Sequence, residues 1–190
     1  MKAGIVAVQG AFREHREVLE ALGCDAVEVR RPEHLSGIDA LLLPGGESTT
    51  MVKLIDSSEL RAPLTELIDG GMPVLGTCAG MILLANTVVD GRPDQWSFAA
   101  LDVAVRRNGY GRQRESFEAP LTVAGMHGGP FPGVFIRAPV VERYGPGVEV
   151  LATWEDVPVL VRDGPVWAAA FHPELSTDLR VHQLFLEEVA

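Results

Sequence analysis

The chain has 190 residues, of which 47% are hydrophobic and 22% charged, a composition typical of a globular protein with one substantial core. Its formal net charge of −10 argues against nucleic acid or an anionic membrane surface as a partner, because both select clustered Lys and Arg. No apolar stretch approaches the roughly 20 residues that span a bilayer. We therefore expect one domain over residues 1–190.

Short apolar runs alternate with amphipathic stretches in the first half, a pattern typical of the strand and helix units of a mostly parallel sheet. Residues 3–8 predict a strand buried on both faces. The spacing of Val18, Leu19 and Leu22 then predicts a helix that Gly23 ends. Further strands are predicted at residues 26–29, 40–43 and 72–76.

The second half has shorter apolar runs with turn residues between them, which predict added antiparallel strands. They lie at residues 101–105, 148–151, 157–161 and 166–171. A final helix is predicted from about residue 177 to 189, with inward-facing side chains at Leu179, Leu184, Phe185 and Val189. The predicted fold is α/β, a single domain with a mostly parallel central sheet flanked by helices and with antiparallel strands added in the second half.

One predicted strand runs into the pentapeptide Gly-Thr-Cys-Ala-Gly at residues 76–80, which has the form of a nucleophile elbow. Cys78 stands at the nucleophile position, and Gly76 and Gly80 leave room for the strained turn. The helix that follows directs its positive end at the sulfur and favours the thiolate. The amide of Ala79 can donate to an oxyanion.

The strand at residues 40–43 ends in Pro-Gly-Gly-Glu-Ser at residues 44–48. Glycine lets the backbone come close to a ligand, and open α/β sheets bind ligands beyond the carboxyl ends of their strands. The amides around Gly46 are therefore candidates for the second oxyanion donor.

His172 and Glu174 follow the apolar run of residues 166–170 and add a base and a carboxylate at another strand end. On an extended chain, residues two apart point to the same side at a spacing of about 6.5 Å. The Glu174 carboxylate can therefore reach the His172 ring, fix its tautomer and leave the other ring nitrogen for Cys78. This arrangement predicts a Cys-His-Glu triad.

The other histidines are not assigned a function. His15, His34 and His182 are interpreted as solvated surface residues, and His127 lies in a loop. No two histidines or cysteines stand at a metal-ligand spacing, so we expect neither a metal nor a cofactor.

Two cysteines are too few for a disulfide framework, and a reducing cytoplasm is the expected location. Cys24 lies at a helix-to-strand junction with no base nearby in sequence, and it is interpreted as a small hydrophobic residue.

The three site segments together resemble class I glutamine amidotransferases, whose triad is an elbow cysteine followed much later by His-x-Glu. Six motifs are more closely similar to the glutaminase subunits of pyridoxal 5′-phosphate synthase. They are Ala-Val-Gln-Gly-Ala-Phe (7–12), Leu-Pro-Gly-Gly-Glu-Ser-Thr-Thr (43–50), Gly-Thr-Cys-Ala-Gly-Met (76–81), Asn-Gly-Tyr-Gly-Arg-Gln (108–113), Ser-Phe-Glu (116–118) and Phe-Ile-Arg-Ala-Pro (135–139). The resemblance covers nearly the whole chain and implies a flavodoxin-like amidotransferase fold.

The resemblance also implies residue roles and partners. Those implied to bind L-glutamine are Gly46, Glu47, Ser48, Arg107, Ile136 and Arg137. Cys78, His172 and Glu174 are implied as the triad. The implied partner is the pyridoxal 5′-phosphate synthase subunit, in a large hetero-oligomer of about 12 + 12 subunits.

The chain departs from the family pattern at three places: Gly-Tyr between Asn108 and Gly111, Arg-Glu at residues 114–115, and a loop at residues 126–132. None touches the expected triad, but the loop is expected to alter the partner surface.

Other interpretations stay open beside this one. A cysteine peptidase or chaperone-like protein of the same fold also carries an elbow cysteine, and an amidotransferase of another pathway, such as histidine biosynthesis, shares the triad. A non-enzymatic regulatory subunit is the binding-protein alternative. The sequence has no Gly-x-x-x-x-Gly-Lys loop and no lysine marked for imine chemistry, so an ammonia acceptor is expected on another polypeptide.

Overall fold

A seven-stranded β-sheet forms the centre of the computed structural model, which describes residues 1–109 and 116–189. The strands within these residues are β1 (Lys2–Val6), β2 (Asp25–Val29), β3 (Ala40–Leu43), β4 (Val74–Thr77), β5 (Ala85–Val88), β6 (Leu101–Arg106), β7 (Ser116–Leu121), β8 (Phe131–Ile136), β9 (Val140–Tyr144), β10 (Glu149–Trp154), β11 (Val157–Asp163) and β12 (Val166–Ala169). The α-helices are α1 (Phe12–Ala21), α2 (Ser48–Ser57), α3 (Arg61–Asp69), α4 (Ala79–Leu84) and α5 (Arg180–Val189). Two 3-10 helices lie at Pro32–Leu35 and Pro173–Leu175.

The main sheet has the strand order β10-β11-β12-β4-β3-β1-β2. The five strands from β12 to β2 pair in parallel, whereas β10 and β11 extend the β12 edge in antiparallel pairs. Strands β5, β6 and β9 form a second sheet, and β7 and β8 form an antiparallel pair. The α/β fold with a mostly parallel sheet and added antiparallel strands is therefore confirmed.

The carboxyl ends of β3, β4 and β12 meet at one edge because these strands are parallel neighbours. All four residues of each strand are buried, which explains why β3 and β12 appear in the sequence as uninterrupted apolar runs and why β4 has no charged residue. The backbone amide of Cys78 donates to the carbonyl of Ala169 at 2.8 Å, so the ladder between β4 and β12 continues to the elbow. The sheet thus brings three motifs that are distant in sequence to one place.

Some element boundaries differ from the prediction for local reasons. Met72 donates its amide to the Leu67 carbonyl and closes the turn after α3, so β4 begins at Val74 rather than at residue 72. The last helix begins at Arg180 rather than near residue 177, because the Asp178 side chain accepts a hydrogen bond from the Arg180 amide.

The predicted loop at residues 126–132 ends at residue 130, because β8 begins at Phe131, and Arg180 fixes it. Its guanidinium donates to the carbonyls of His127 at 2.6 Å, Gly129 at 3.0 Å and Pro130 at 3.3 Å. Three carbonyls held by one cation give this exposed loop a defined backbone. In the described part of the chain, no helix has the length and apolar character that crossing a membrane requires.

Candidate active site

Cys78 lies between β4 and α4 in a conformation that few non-glycine residues adopt. Its backbone angles are φ 49° and ψ −101°, and its side chain is buried. This strained turn has the backbone geometry of a nucleophile elbow, which residues 76–80 predict. A Cβ atom on Gly80 would lie 2.0 Å from the Leu43 carbonyl oxygen, and one on Gly76 would lie 2.6 Å from the Gly80 carbonyl carbon. The turn therefore fits only with glycine on both sides.

His172 follows β12, and its ring lies between Cys78 and Glu174. The backbone amide of His172 donates to the Val134 carbonyl at 2.8 Å, which ties this segment to β8. Its Nδ1 atom lies 2.7 Å from Oε1 of Glu174, and both side chains are buried. Residues 173–175 form a 3-10 turn rather than the extended chain from which this contact was predicted. The turn still brings the carboxylate back to the ring.

The charge state of His172 is set by its two neighbours. Burial opposes the imidazolium, but hydrogen bonds to Cys78 and Glu174, together with the negative charges of both, outweigh burial and raise the pKa of His172 to about 10. For Glu174, burial acts against the carboxylate, but His15 and the hydrogen-bonded His172 hold its pKa below the ordinary value. At neutral pH the site therefore holds an imidazolium between a sulfur and a carboxylate.

This charge state gives a testable prediction. In an NMR titration of nitrogen-labelled protein, His172 should be imidazolium at neutral pH and should lose its proton near pH 10. In Cys78→Ala the transition should move to lower pH, because the hydrogen bond and charge of the sulfur are gone. Since the folded pKa exceeds the ordinary 6.5, this group stabilises the fold fully below about pH 6.5 and less as the pH rises to about 10. Cys24→Ala is the control, and an unchanged transition in Cys78→Ala would contradict the pairing.

The glycine pair after β3 lies against these side chains. A Cβ atom on Gly45 would lie 2.3 Å from Cε1 of His172 and 3.3 Å from Cβ of Cys78, so Gly45 forms the wall next to both. Oε1 of Gln9 accepts a hydrogen bond from the Glu47 amide at 2.8 Å and would lie 2.5 Å from a Cβ atom on Gly46. Gln9 therefore fixes the backbone around Gly46 through its hydrogen bond with the Glu47 amide.

A cleft of about 540 Å³ opens in front of the sulfur. Its lining residues are Gly10, Ala11, Gly45, Gly46, Glu47, Ser48, Cys78, Ile82, Arg107, Asn108, Ser116, Ile136, Arg137 and His172. Of the site residues that the sequence predicts, Glu174 and Ala79 alone, among the residues described, do not line it. Glu174 lies behind His172, and Ala79 is buried as the first residue of α4.

One wall of the cleft carries an ion pair. Nη2 of Arg107 lies 3.2 Å from Oε1 of Glu47, and Nη1 donates to Gln95 at 2.9 Å and to Thr49 at 3.2 Å. Glu47 also caps α2 through the amides of Thr49 and Thr50. Partial burial works against the carboxylate, but the hydrogen bonds from Thr50 and Thr49 hold the pKa of Glu47 below its ordinary value. The wall thus presents one anion and one cation side by side.

The opposite wall comes from the end of β8. The carbonyl oxygen of Ile136 lies 3.7 Å from the Cys78 sulfur, and the Ile136 side chain is exposed. Arg137 follows with φ 45°, a conformation uncommon for a non-glycine residue. Of the motif at residues 108–113, Tyr110 to Gln113 lie outside the described residues, as do Arg114 and Glu115.

The interpretation of His15 and His182 as surface residues is wrong. Both are fully buried, whereas His34 is half-buried near the surface. His15 precedes the buried Val18 and Leu19 by three and four positions in α1, and His182 stands in the same relation to Phe185 and Leu186 in α5. This helical spacing was the signal that sequence reasoning missed.

Gln95 is a further residue that the sequence did not single out. Its Oε1 accepts from Arg107 at 2.9 Å, and its Nε2 donates to Oγ of Ser48 at 3.2 Å. Gln95 therefore joins two residues of the cleft wall. It lies in a polar loop, and no local pattern marks it. No group of three or more His, Cys, Asp or Glu residues in the described chain is arranged to hold a metal ion.

The site combines a cysteine, a charged histidine and a carboxylate with a cleft that carries both signs of charge. The SNO glutamine amidotransferase family matches residues 5–190. Two relatives named pyridoxal 5′-phosphate synthase subunit PdxT, from Salinispora arenicola and Parafrankia sp., are 54% and 55% identical; the alignments cover 98% and 99% of this chain and 95% and 93% of theirs. A crystal structure described as glutamine amidotransferase is 51% identical, with a TM-score of 0.92 over 98% of both chains. The chain belongs to the SNO glutamine amidotransferase family.

Proposed function

We propose that this chain hydrolyses L-glutamine to L-glutamate and ammonia with Cys78, His172 and Glu174, and delivers the ammonia to a separate synthase subunit that makes pyridoxal 5′-phosphate. The observation that carries the proposal is the His172 ring, placed between the Cys78 sulfur and Glu174 at the floor of a cleft. The family is one of glutamine amidotransferases, and the relatives are named as subunits of that synthase. The chain is the glutaminase subunit of a glutamine-hydrolysing pyridoxal 5′-phosphate synthase.

In the first chemical step the Cys78 sulfur attacks the side-chain amide carbon of glutamine and forms a C–S bond. The carbonyl oxygen becomes an oxyanion, for which the amides at Gly46 and Ala79 are the proposed donors. His172 gives its proton to the amide nitrogen as the C–N bond breaks, so that ammonia leaves and a thioester remains. A histidine already held as imidazolium carries the proton that this step needs.

In the second step water attacks the thioester. His172, now neutral, takes a proton from the water, and the Cys78 sulfur leaves as glutamate is released. Glu174 keeps the ring oriented through both steps and stabilises the imidazolium each time it forms. The thiolate–imidazolium pair is thereby restored.

The cleft wall that carries Arg107 and Glu47 is suited to bind the α-amino acid end of glutamine. Glutamine carries an α-carboxylate and an α-ammonium, and Arg107 and Glu47 offer one partner for each. Gly46 and Ser48 lie beside Glu47, and Ile136 and Arg137 border the cleft from the other side. We therefore assign these six residues to glutamine binding.

Gln95→Ala should weaken glutamine binding without affecting the chemical step. The substitution removes the acceptor that holds Arg107 and the donor to Ser48. We expect KM for glutamine to rise about three- to tenfold with kcat within about twofold, the pattern of lost uniform binding. Steady-state kinetics of glutamate release measure both constants. Gln183→Ala, a glutamine on the exposed face of α5, is the matched control, and a fall in kcat at unchanged KM would contradict the assignment.

The partner assembly, location and domain extent belong to the same proposal. We assign residues 1–190 to one glutaminase domain that docks, in a hetero-oligomer of about 12 + 12 subunits, on a synthase core. Native mass spectrometry of the mixed subunits tests the stoichiometry. A reducing, cytoplasmic location fits Cys24 and Cys78, which are both free thiols.

The test of the function is glutamate release by the purified chain, alone and with an equimolar pyridoxal 5′-phosphate synthase subunit. Strong activation by the synthase supports both the reaction and the partner. The synthase subunit of histidine biosynthesis is the control partner, and we expect it to leave the rate unchanged. Activation by the control partner, or full activity of the chain alone, would point to another pathway.

A further inference from the structure

Glu174 uses its two carboxylate oxygens on opposite sides. Oε1 lies 2.7 Å from Nδ1 of His172, while Oε2 lies 3.4 Å from Nε2 of His15. The side chains of Glu174 and His15 are both fully buried. The same His15 nitrogen lies 3.1 Å from Oγ1 of Thr77, the residue before the nucleophile. His15 therefore lies next to Oε2 of Glu174, the carboxylate oxygen that does not contact His172.

Behind His15 lies a second buried histidine. Nδ1 of His15 is 2.9 Å from Nε2 of His182, and the two rings meet edge to face with centroids 5.1 Å apart. Neither ring is charged at neutral pH. Burial lowers the pKa of His15 despite the attraction of Glu174, and it lowers the pKa of His182 to about 3. Each ring therefore has one N–H donor and one bare nitrogen.

One assignment of protons fits every contact. Nε2 of His15 has its hydrogen-bond partner in Oγ1 of Thr77 at 3.1 Å, and it lies 3.4 Å from Oε2 of Glu174, a buried oxygen without a hydrogen-bond partner in the described chain. A hydrogen on Nε2 can donate to Thr77 and at the same time face the carboxylate, which only accepts. Nδ1 of His15 is then an acceptor, and Nε2 of His182 carries the hydrogen between the rings. The remaining nitrogen, Nδ1 of His182, is bare, and it is the His182 atom that is buried without a hydrogen-bond partner in the described chain.

The opposite assignment has two faults. It would direct the lone pair of His15 Nε2 at the Glu174 carboxylate, and it would leave an N–H of His182 buried without an acceptor. A buried, unsatisfied donor is costly, and two facing lone pairs repel. Donation therefore runs from His182 to His15 and on toward Thr77 and Glu174, while the other oxygen of Glu174 accepts from Nδ1 of His172.

We propose that His15 is a positioning residue: in the tautomer that His182 fixes, its Nε2–H is held by Thr77 beside Oε2 of Glu174 and attracts the carboxylate that orients His172. The proposal rests on the assigned role of the triad. His15 comes from α1 and His182 from α5, 167 positions apart, so two helices fix a carboxylate that sits on a short 3-10 turn. A displaced ring would lose the alignment on which proton transfer depends.

Two substitutions of His15 separate the contact of its Nε2–H with Glu174 from mere packing. The side-chain amide of Gln reaches the position of Nε2 and keeps a donor for Glu174, whereas that of Asn reaches only the position of Nδ1 and keeps the contact with His182. With the synthase subunit present, we expect His15→Gln to keep kcat within about threefold and His15→Asn to lose about 10- to 100-fold at unchanged KM. The low-field Nδ1–H resonance of His172 should persist in the first variant and shift or vanish in the second.

A second variant keeps the test decisive if His15→Asn does not fold. His182→Phe fills the ring position but removes the donor that fixes the His15 tautomer, so we expect about a three- to tenfold loss of kcat. The same change in the His15→Gln background should cost less than about twofold, because the amide has no ring tautomer to fix.

Equal kcat in the Gln and Asn variants, or losses that simply follow Tm, would overturn the proposal. Cys78→Ala assayed in parallel separates this failure from failure of the function. An inactive Cys78→Ala beside an unaffected His15→Asn rejects the positioning role alone, whereas an active Cys78→Ala rejects the assigned triad.

Discussion

Cys78→Ala is expected to lower kcat for glutamate release by about 10⁴-fold or more, to the limit of detection. The sulfur is the proposed attacking atom, and Cys78 lies at the elbow with its side chain at the cleft. Alanine removes the nucleophile and leaves the His172–Glu174 pair and the charged cleft wall in place. Glutamine binding should therefore survive the loss of turnover, which isothermal titration calorimetry can measure with the synthase subunit present.

Cys24→Ala is the matched control, because Cys24 is the other cysteine and packs beside the core away from the cleft. It should keep full activity with at most a small change in Tm. Turnover in Cys78→Ala that equals that of Cys24→Ala would mean that glutamine is not hydrolysed through a thioester here. Loss of both binding and Tm in Cys78→Ala would instead indicate a structural role for the residue.

Strands whose apolar sequence indicates burial on both faces have bounds in the structure close to the predicted ones. The strand at residues 40–43 has the same bounds in the structure, because four consecutive apolar residues at the sheet centre leave little choice of register. The elbow at Cys78 was equally visible, because its glycines are required by contacts of 2.0 to 2.6 Å that any side chain would violate. Local sterics therefore made both this strand and the turn at Cys78 predictable from the sequence.

The contacts behind the proposed triad could not be predicted in the same way. Helical spacing shows that His15 and His182 face inward, but spacing within one helix does not show which buried atoms of another helix they meet. Their contact joins residues 167 positions apart. Gln95 likewise has no local signal, because its role depends on Arg107 and Ser48 from two other segments.

Boundaries set by side-chain hydrogen bonds were also less predictable than the cores of the elements. Periodicity placed the start of the last helix near residue 177, whereas the contact of Asp178 with the Arg180 amide starts it at Arg180. The reach of Glu174 to His172 was expected from an extended chain and comes instead from a 3-10 turn. The contact between Glu174 and His172 was therefore predicted correctly, although the backbone that produces it differs from the predicted one.

Gly45→Ala is expected to cost about 10²- to 10³-fold in kcat while the protein stays folded. The new Cβ atom would lie 2.3 Å from Cε1 and 2.8 Å from Nδ1 of His172, so the ring must move. Nδ1 is the atom that pairs with Glu174 at 2.7 Å, and moving it breaks the contact that orients the base. The backbone of Gly45 has no positive φ, so the Cβ itself does not strain the main chain.

Kinetics and thermal unfolding together decide this prediction. Crowding of one buried ring should lower stability by about 1–3 kcal/mol, which leaves a folded protein to assay. Gly147→Ala is the matched control, because a Cβ atom there meets only ordinary contacts of 3.4 Å or more. If Gly45→Ala kept wild-type kcat and an unshifted His172 resonance, the ring would have room that the structure does not show. A fall in kcat at constant KM would show that Gly45 is needed for the position of the His172 ring. It would also show that the shape of the glutamine cleft does not depend on Gly45.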